Sequence, residues 1–171
     1  VKALLPKLSI EMRYNEAGEQ RMFLDGEDVS EAIRMPEISI CASDVSSLPA
    51  VRSFLLEMQR KLAREHNVVM DGRDIGTVVL PDADLKIFLT ASAEQRAKRR
   101  MLELEAKGVD ASFDEVLKDI EYRDDQDTKR AAAPLRAAED AVRVDTSSLN
   151  FEESAAVLAG LVIDRLSPKQ E

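Results

Sequence analysis

The run Val68-Val69-Met70, followed at once by Asp71-Gly72-Arg73-Asp74-Ile75-Gly76, constrains this chain more than any other stretch. A short, uninterrupted, β-branched run is expected of a strand covered on both faces in a parallel sheet. Ligands of such sheets gather beyond the carboxyl ends of the strands. Two carboxylates and a guanidinium placed there, in a glycine-flanked turn, are expected to face a cleft, which makes Asp71, Arg73 and Asp74 site candidates. The competing reading is a turn in which Arg73 merely pairs its neighbouring carboxylates.

Two helical segments carry further charge. In residues 112–130, Phe113, Val116, Leu117 and Ile120 recur at helical spacing and define one buried face. Arg123, Asp127 and Arg130 prolong nearly the same stripe, so the apolar seam turns polar as the helix leaves the core and is expected to line a cavity. Asp124, Asp125 and Lys129 fit the plainer description of a solvated, salt-bridged face. In residues 92–107, Ser92 is the expected N-cap, with Glu94 in the first turn and Arg96, Arg99 and Arg100 at i, i+3 and i+4. Three guanidiniums on one face suit a polyphosphate; beside Glu103 and Glu105 they also read as an ordinary basic surface.

The remaining pattern alternates strands and helices. A hairpin is predicted from the alternation around Asn15-Glu16-Ala17-Gly18. Helices are expected over 35–47, 49–65 (with Pro49 at its start), 92–107, 112–130 and 150–166, and strands over 67–70, 85–90 and 141–145. This is an α/β pattern. A chain of 171 residues is long enough for one domain with a small insertion. A net charge of −9 argues against a general binder of nucleic acid or anionic membrane. No apolar run has the length needed to span a bilayer, and the lone Cys41 excludes an internal disulfide framework and fits a reducing cytoplasm. A single histidine, His66, cannot build a zinc site with that cysteine.

Five segments taken together resemble the bacterial cytidylate kinases, nucleoside monophosphate kinases acting on CMP and dCMP. They are LDGEDVSEAIR (24–34), ICASDVSSLPAVR (40–52), VVMDGRDIGTVVLPDADLKIFLTAS (68–92), RAKRRMLEL (96–104) and YRDDQDTKRAAAPL (122–135). The resemblance covers essentially the whole chain. It implies a phosphate-loop kinase fold, three-layer α/β/α with a parallel sheet and a small antiparallel β insertion. Residues 1–66 would form the monophosphate-binding insertion with its return helix, and 67–171 the kinase core with a short lid near 96–130. The implied reaction transfers the γ-phosphoryl of ATP to CMP or dCMP with Mg2+. The alternatives are a related kinase of other base preference, or a catalytically silent nucleotide-binding fragment or assembly partner.

Roles follow by position. Ser43, Arg52 and Asp74 match the residues that read the cytosine base, Arg73 and Arg130 those that hold the acceptor phosphate, and Arg123 and Asp127 those that contact the sugar hydroxyls. Asp71 matches the acidic strand end near magnesium and its waters. Arg96, Arg99 and Arg100 sit where the lid supplies arginines to the transferring group. One departure stands against these agreements: the family opens with a G-x-x-x-x-G-K-[ST] phosphate loop, and none of the six glycines here begins such a motif. The chain is therefore expected to lack the N-terminal strand, that loop, its helix and the first acceptor-site serine and arginine. It is expected to be a fragment, the missing segment coming from another chain or another copy.

Overall fold

The computed structural model describes residues 2–35, 38, 41–42, 45–46, 48–106, 108–130 and 133–167. The chain divides into two compact units, Val1–Val68 and Val69–Glu171.

In the first unit, β1 (Ile10–Tyr14) and β2 (Gln20–Leu24) form the expected antiparallel hairpin, with Met12 opposite Met22. Gly18 closes the turn at φ 77°, donating its N–H to the Asn15 carbonyl at 2.9 Å. Only glycine enters that left-handed region without a steric cost. A third strand, β3 (Glu27–Asp28), pairs with β2 and is absent from the predicted elements. Its signal is Asp25-Gly26, both at positive φ (51° and 87°), the pair that matches the twist of two flanking strands.

The Ser30 hydroxyl locks this small sheet. Ser30 is 2% exposed, donates to Asp28 Oδ1 at 2.6 Å and accepts the Met22 N–H at 2.8 Å. That hydroxyl, the Ser30 N–H and the Arg21 guanidinium hold the Asp28 carboxyl down to about 2. A carboxylate depressed in the folded state contributes stability above its unfolded value and loses it as pH falls through the folded one. The sheet should thus keep this contribution above 3.8 and lose it as pH falls through about 2. Carboxyl NMR titration checks it: Ser30→Ala should move the Asp28 midpoint upward, and an unmoved midpoint would show that the hydroxyl is not the cause.

Helix α1 (Pro49–Glu65) begins at Pro49, as expected of a residue with a preset φ and no N–H to satisfy, and Val51 anchors it at 6% exposure. The helix expected over 35–47 falls largely outside the described residues. The strand expected over 67–70 is not formed: these residues belong to no ladder among the described residues, and Val69 is 100% exposed. β-branched composition favours a packed, pleated surface but does not by itself hold an extended segment. Without a neighbouring strand to pair its N–H and C=O groups, the segment leaves them to solvent.

The second unit carries the α/β crossover. Strand β4 (Ile87–Thr90) leads to α2 (Ala93–Ala106) and α3 (Phe113–Lys129), then to β5 (Val142–Asp145) and α4 (Phe151–Leu166). β4 and β5 are parallel, Ile87 opposite Val142 and Thr90 opposite Asp145. Parallel neighbours need a long crossover, and α2 with α3 supplies it. Each helix starts where the sequence places a cap. Ser92 Oγ accepts the Gln95 N–H, while Ser112 with Glu115 and Asn150 with Glu153 form reciprocal capping boxes. The core gathers Val79, Val116, Val144 and the fully buried Ala97, whose small side chain lets α2 and α3 approach closely. Buried Thr146 ties the sheet end together, its hydroxyl donating to the Thr90 carbonyl at 3.0 Å. At the other end of the ladder, the nearly buried Lys86 ammonium grips Asp140 with both oxygens, at 2.7 and 2.9 Å, and holds that carboxyl below its ordinary value.

Candidate functional site

The segment after Met70 is a single π-helical turn, Ile75–Val79, rather than a simple loop. The Asp74 carbonyl collects the N–H groups of Val78 at 2.9 Å and Val79 at 3.2 Å, and buried Val79 pins the turn to the core. The widened turn places the Asp74 side chain, 15% exposed, inward beside α3. Arg73 and Asp71 are both exposed. Such turns are rare in general and concentrate at functional positions.

Helix α3 completes the site. Asp127 Oδ2 accepts Arg73 Nε at 2.9 Å, and its Oδ1 lies 3.8 Å from Arg130 Nη1. Arg130 Nη2 lies 3.8 Å from Asp74 Oδ1. Two arginines and two aspartates thus form a chain of alternating charge, joining residues more than fifty positions apart in sequence. Arg130 also ends the helix: its Nε donates to the Ala133 carbonyl at 2.5 Å, and Ala133 sits at φ 52°, a region that costs a non-glycine residue about 1 to 3 kcal/mol. Arg130 Nη2 is buried and has no hydrogen-bond partner among the described residues. A buried donor in that state costs about 1 to 3 kcal/mol, which an incoming anionic oxygen would relieve.

The three arginines of α2 share a face as predicted, but their guanidiniums diverge. Arg96 makes a two-point fork to Asp124 on α3, at 2.9 and 2.5 Å, and gives its Nε–H to the Ala91 carbonyl at 3.0 Å. The hydrogen bond to Asp124 raises the Arg96 pKa further above its ordinary value. Arg99 reaches the carbonyls of Thr146, at 2.5 Å, and Leu149, at 3.1 Å, and so fastens α2 to the loop before α4. Arg100 pairs with Glu103 on its own helix at 2.9 Å. Of the other predicted residues, Arg123 is exposed on α3 and Arg52 is half-buried on α1 in the first unit. Ser43 lies outside the described residues. No group of three or more His, Cys, Asp or Glu able to hold a metal ion occurs among the described residues.

The chain itself has known relatives. The family model for cytidylate kinase matches residues 2–162. The chain belongs to the cytidylate kinase family. It is 58% identical over 136 residues to a cytidylate kinase of Caldicellulosiruptor bescii, covering 80% of this chain and 60% of that protein. It is 50% identical over 162 residues to one from Carboxydothermus hydrogenoformans, covering 95% of this chain and 72% of the relative. For the cytidylate kinase of Pseudomonas syringae pv. tomato the identity is 51% over 154 residues, with 90% and 67% covered. The chain therefore spans between 60% and 72% of the lengths of these relatives. Its parallel crossover and separate antiparallel strands are consistent with the phosphate-loop kinase α/β fold of the cytidylate kinase family.

Asp124 is the site residue that sequence reading passes over. It looks like part of a solvated charge run, yet Ile120, Asp124 and Asp127 are half-buried along α3, while Arg123 is exposed. The usable signal is spacing: Asp124 follows Ile120 by four residues, so it shares the buried face.

Proposed function

We propose that the protein containing this chain is a CMP/dCMP kinase that moves the γ-phosphoryl group of ATP onto the 5′-phosphate of CMP or dCMP, giving CDP or dCDP. The observation that carries this reading is the buried Arg130 Nη2, which has no hydrogen-bond partner among the described residues, beside Arg73, Asp74 and Asp127. Two guanidiniums converging on one place, one of them with a donor left over, suit the oxygens of a phosphate monoester. Arg73 and Arg130 hold the acceptor phosphate, and Asp127 with Arg123 meets the sugar hydroxyls. In this reading residues 1–66 are the monophosphate-binding insertion and 67–171 the core with its lid.

Base choice rests on Ser43, Arg52 and Asp74. An ionised carboxylate only accepts hydrogen bonds, so Asp74 favours the exocyclic amine of cytosine and opposes the carbonyl that uracil presents there. Phosphoryl transfer itself is largely positioning and neutralisation of charge on the transferred oxygens, a task that Arg96, Arg99 and Arg100 supply from α2. Mg2+ in such reactions is held mainly by the nucleotide's phosphates and by water. The lone Asp71 carboxylate suits an outer contact to that ion and no more. The absence, among the described residues, of a helix long and apolar enough to cross a membrane is compatible with a cytoplasmic setting.

The test is phosphorylation of CMP, dCMP and UMP by ATP in the full-length protein. CDP formation with CMP preferred over UMP is expected, and no CDP at any enzyme concentration would overturn the reading. Asp74→Ala should lower the ratio of kcat/KM for CMP to that for UMP by about tenfold or more, since a mispaired buried polar group costs about 1 to 3 kcal/mol. An unchanged ratio would remove Asp74 from base recognition.

A further inference from the structure

We propose that Asp124 is a positioning residue for phosphoryl transfer: it orients Arg96 and so couples the lid helix to the acceptor cluster. The proposal rests on the kinase reading above and adds to it a residue outside the substrate contacts. Asp127, one turn after Asp124 on the same helix, holds Arg73 at 2.9 Å, while Asp124 holds Arg96 of α2 through both carboxylate oxygens. α3 thus presents two successive carboxylates, each gripping an arginine from a different element, one on the lid side and one on the acceptor side. A two-point fork fixes the plane of a guanidinium as well as its distance. The Nε–H bond to the Ala91 carbonyl fixes the third corner.

Counting donors shows what is left. A guanidinium has five N–H groups, and Arg96 uses one on each of its three nitrogens in these contacts. One N–H on each terminal nitrogen remains. The side chains of Arg96 and Asp124 are 36% and 40% exposed, so the fork is not sealed from solvent. Arg96 can therefore meet a phosphoryl oxygen without releasing Asp124. Its neighbours differ: Arg99 is fastened to backbone carbonyls, and Arg100 pairs within its own helix. Asp124 acts through Arg96, whose guanidinium it holds.

The experiment is steady-state kinetics of the full-length protein with ATP and CMP, together with the NMR signals of the Arg96 Nη1 and Nη2 protons that Asp124 accepts. Asp124→Asn should lower kcat by roughly 10- to 100-fold, the scale of a small misplacement, and leave the KM for CMP within about twofold. Asp124→Glu should recover part of the loss. In an Arg96→Ala background, Asp124→Asn should add nothing, because two residues acting through one contact are not additive. A normal kcat for Asp124→Asn, or fully additive losses in the double variant, would overturn the proposal. The Arg96 Nη–H signals separate this outcome from failure of the kinase reading. If the unsubstituted protein makes no CDP, that reading fails, and loss of the protected signals in Asp124→Asn still supports the orienting contact while unchanged signals sink it. Should Asp124→Asn not fold, Asp124→Glu decides: altered Arg96 signals with unchanged kcat overturn the proposal, and a reduced kcat with unchanged KM supports it.

Discussion

A sample made of these 171 residues alone should turn over CMP at least about a thousandfold more slowly than the full-length protein, because its sequence offers no phosphate cradle. The β- and γ-phosphates of a nucleoside triphosphate are held in phosphate-loop kinases by successive backbone amides, a lysine and a hydroxyl at a helix N-terminus. None of the six glycines opens a G-x-x-x-x-G-K-[ST] run, and Gly72 and Gly76 enclose Arg-Asp-Ile instead. Phosphoryl transfer draws its acceleration from positioning and charge neutralisation, so losing the donor's cradle removes the larger part of it. Arginines on α2 cannot substitute, since a guanidinium supplies charge at one point and not a ring of amides around a triphosphate. The measurement is a coupled assay for CDP on a mass-verified sample, with the full-length protein as reference. Turnover within about tenfold of that reference would mean that these residues bind the donor by other groups.

How much of this was legible in the sequence differs by element. Helices with strong caps were readable: Pro49 starts α1, and Ser112 and Asn150 each accept the N3 amide as their sequence context implies. The hairpin was readable from alternation around a turn that Gly18 closes. The strand expected over 67–70 did not form, because apolar composition describes burial while a strand also needs a partner for its backbone. At the site, proximity of Arg73 to Asp127 was beyond local reading, since it joins a turn to a helix fifty-four positions later. The arginine triplet shows the opposite limit. Spacing put Arg96, Arg99 and Arg100 on one face, but where each guanidinium points was decided by Asp124, by the Thr146 and Leu149 carbonyls and by Glu103. Shared face is a property of the backbone; convergence is a property of the partners.

Replacing Arg130 or Asp127 by alanine in the full-length protein should lower kcat/KM for CMP by roughly tenfold to a hundredfold each, since a charge-assisted contact contributes about 1.5 to 3 kcal/mol. The two losses have different origins. Arg130→Ala removes the buried donor that an acceptor phosphate would meet, and it also frees the chain after α3, where Nε holds the Ala133 carbonyl with Ala133 at φ 52°. Arg130→Lys separates these effects: an ammonium keeps the charge but cannot reach the carbonyl and the phosphate in one planar fork. It should therefore keep some CMP binding and still lose the contact with the Ala133 carbonyl. Asp127→Ala leaves Arg73 without its 2.9 Å partner, and because Arg73 is 57% exposed it will move rather than remain as a stranded buried charge. Its cost should accordingly appear in the KM for CMP and little in the melting temperature. The double variant should lose less than the sum, because both residues belong to one cluster with Arg73 and Asp74. Normal CMP kinetics in both single variants would reduce the polar end of α3 to a surface of paired charges and remove the site on which the acceptor assignment rests.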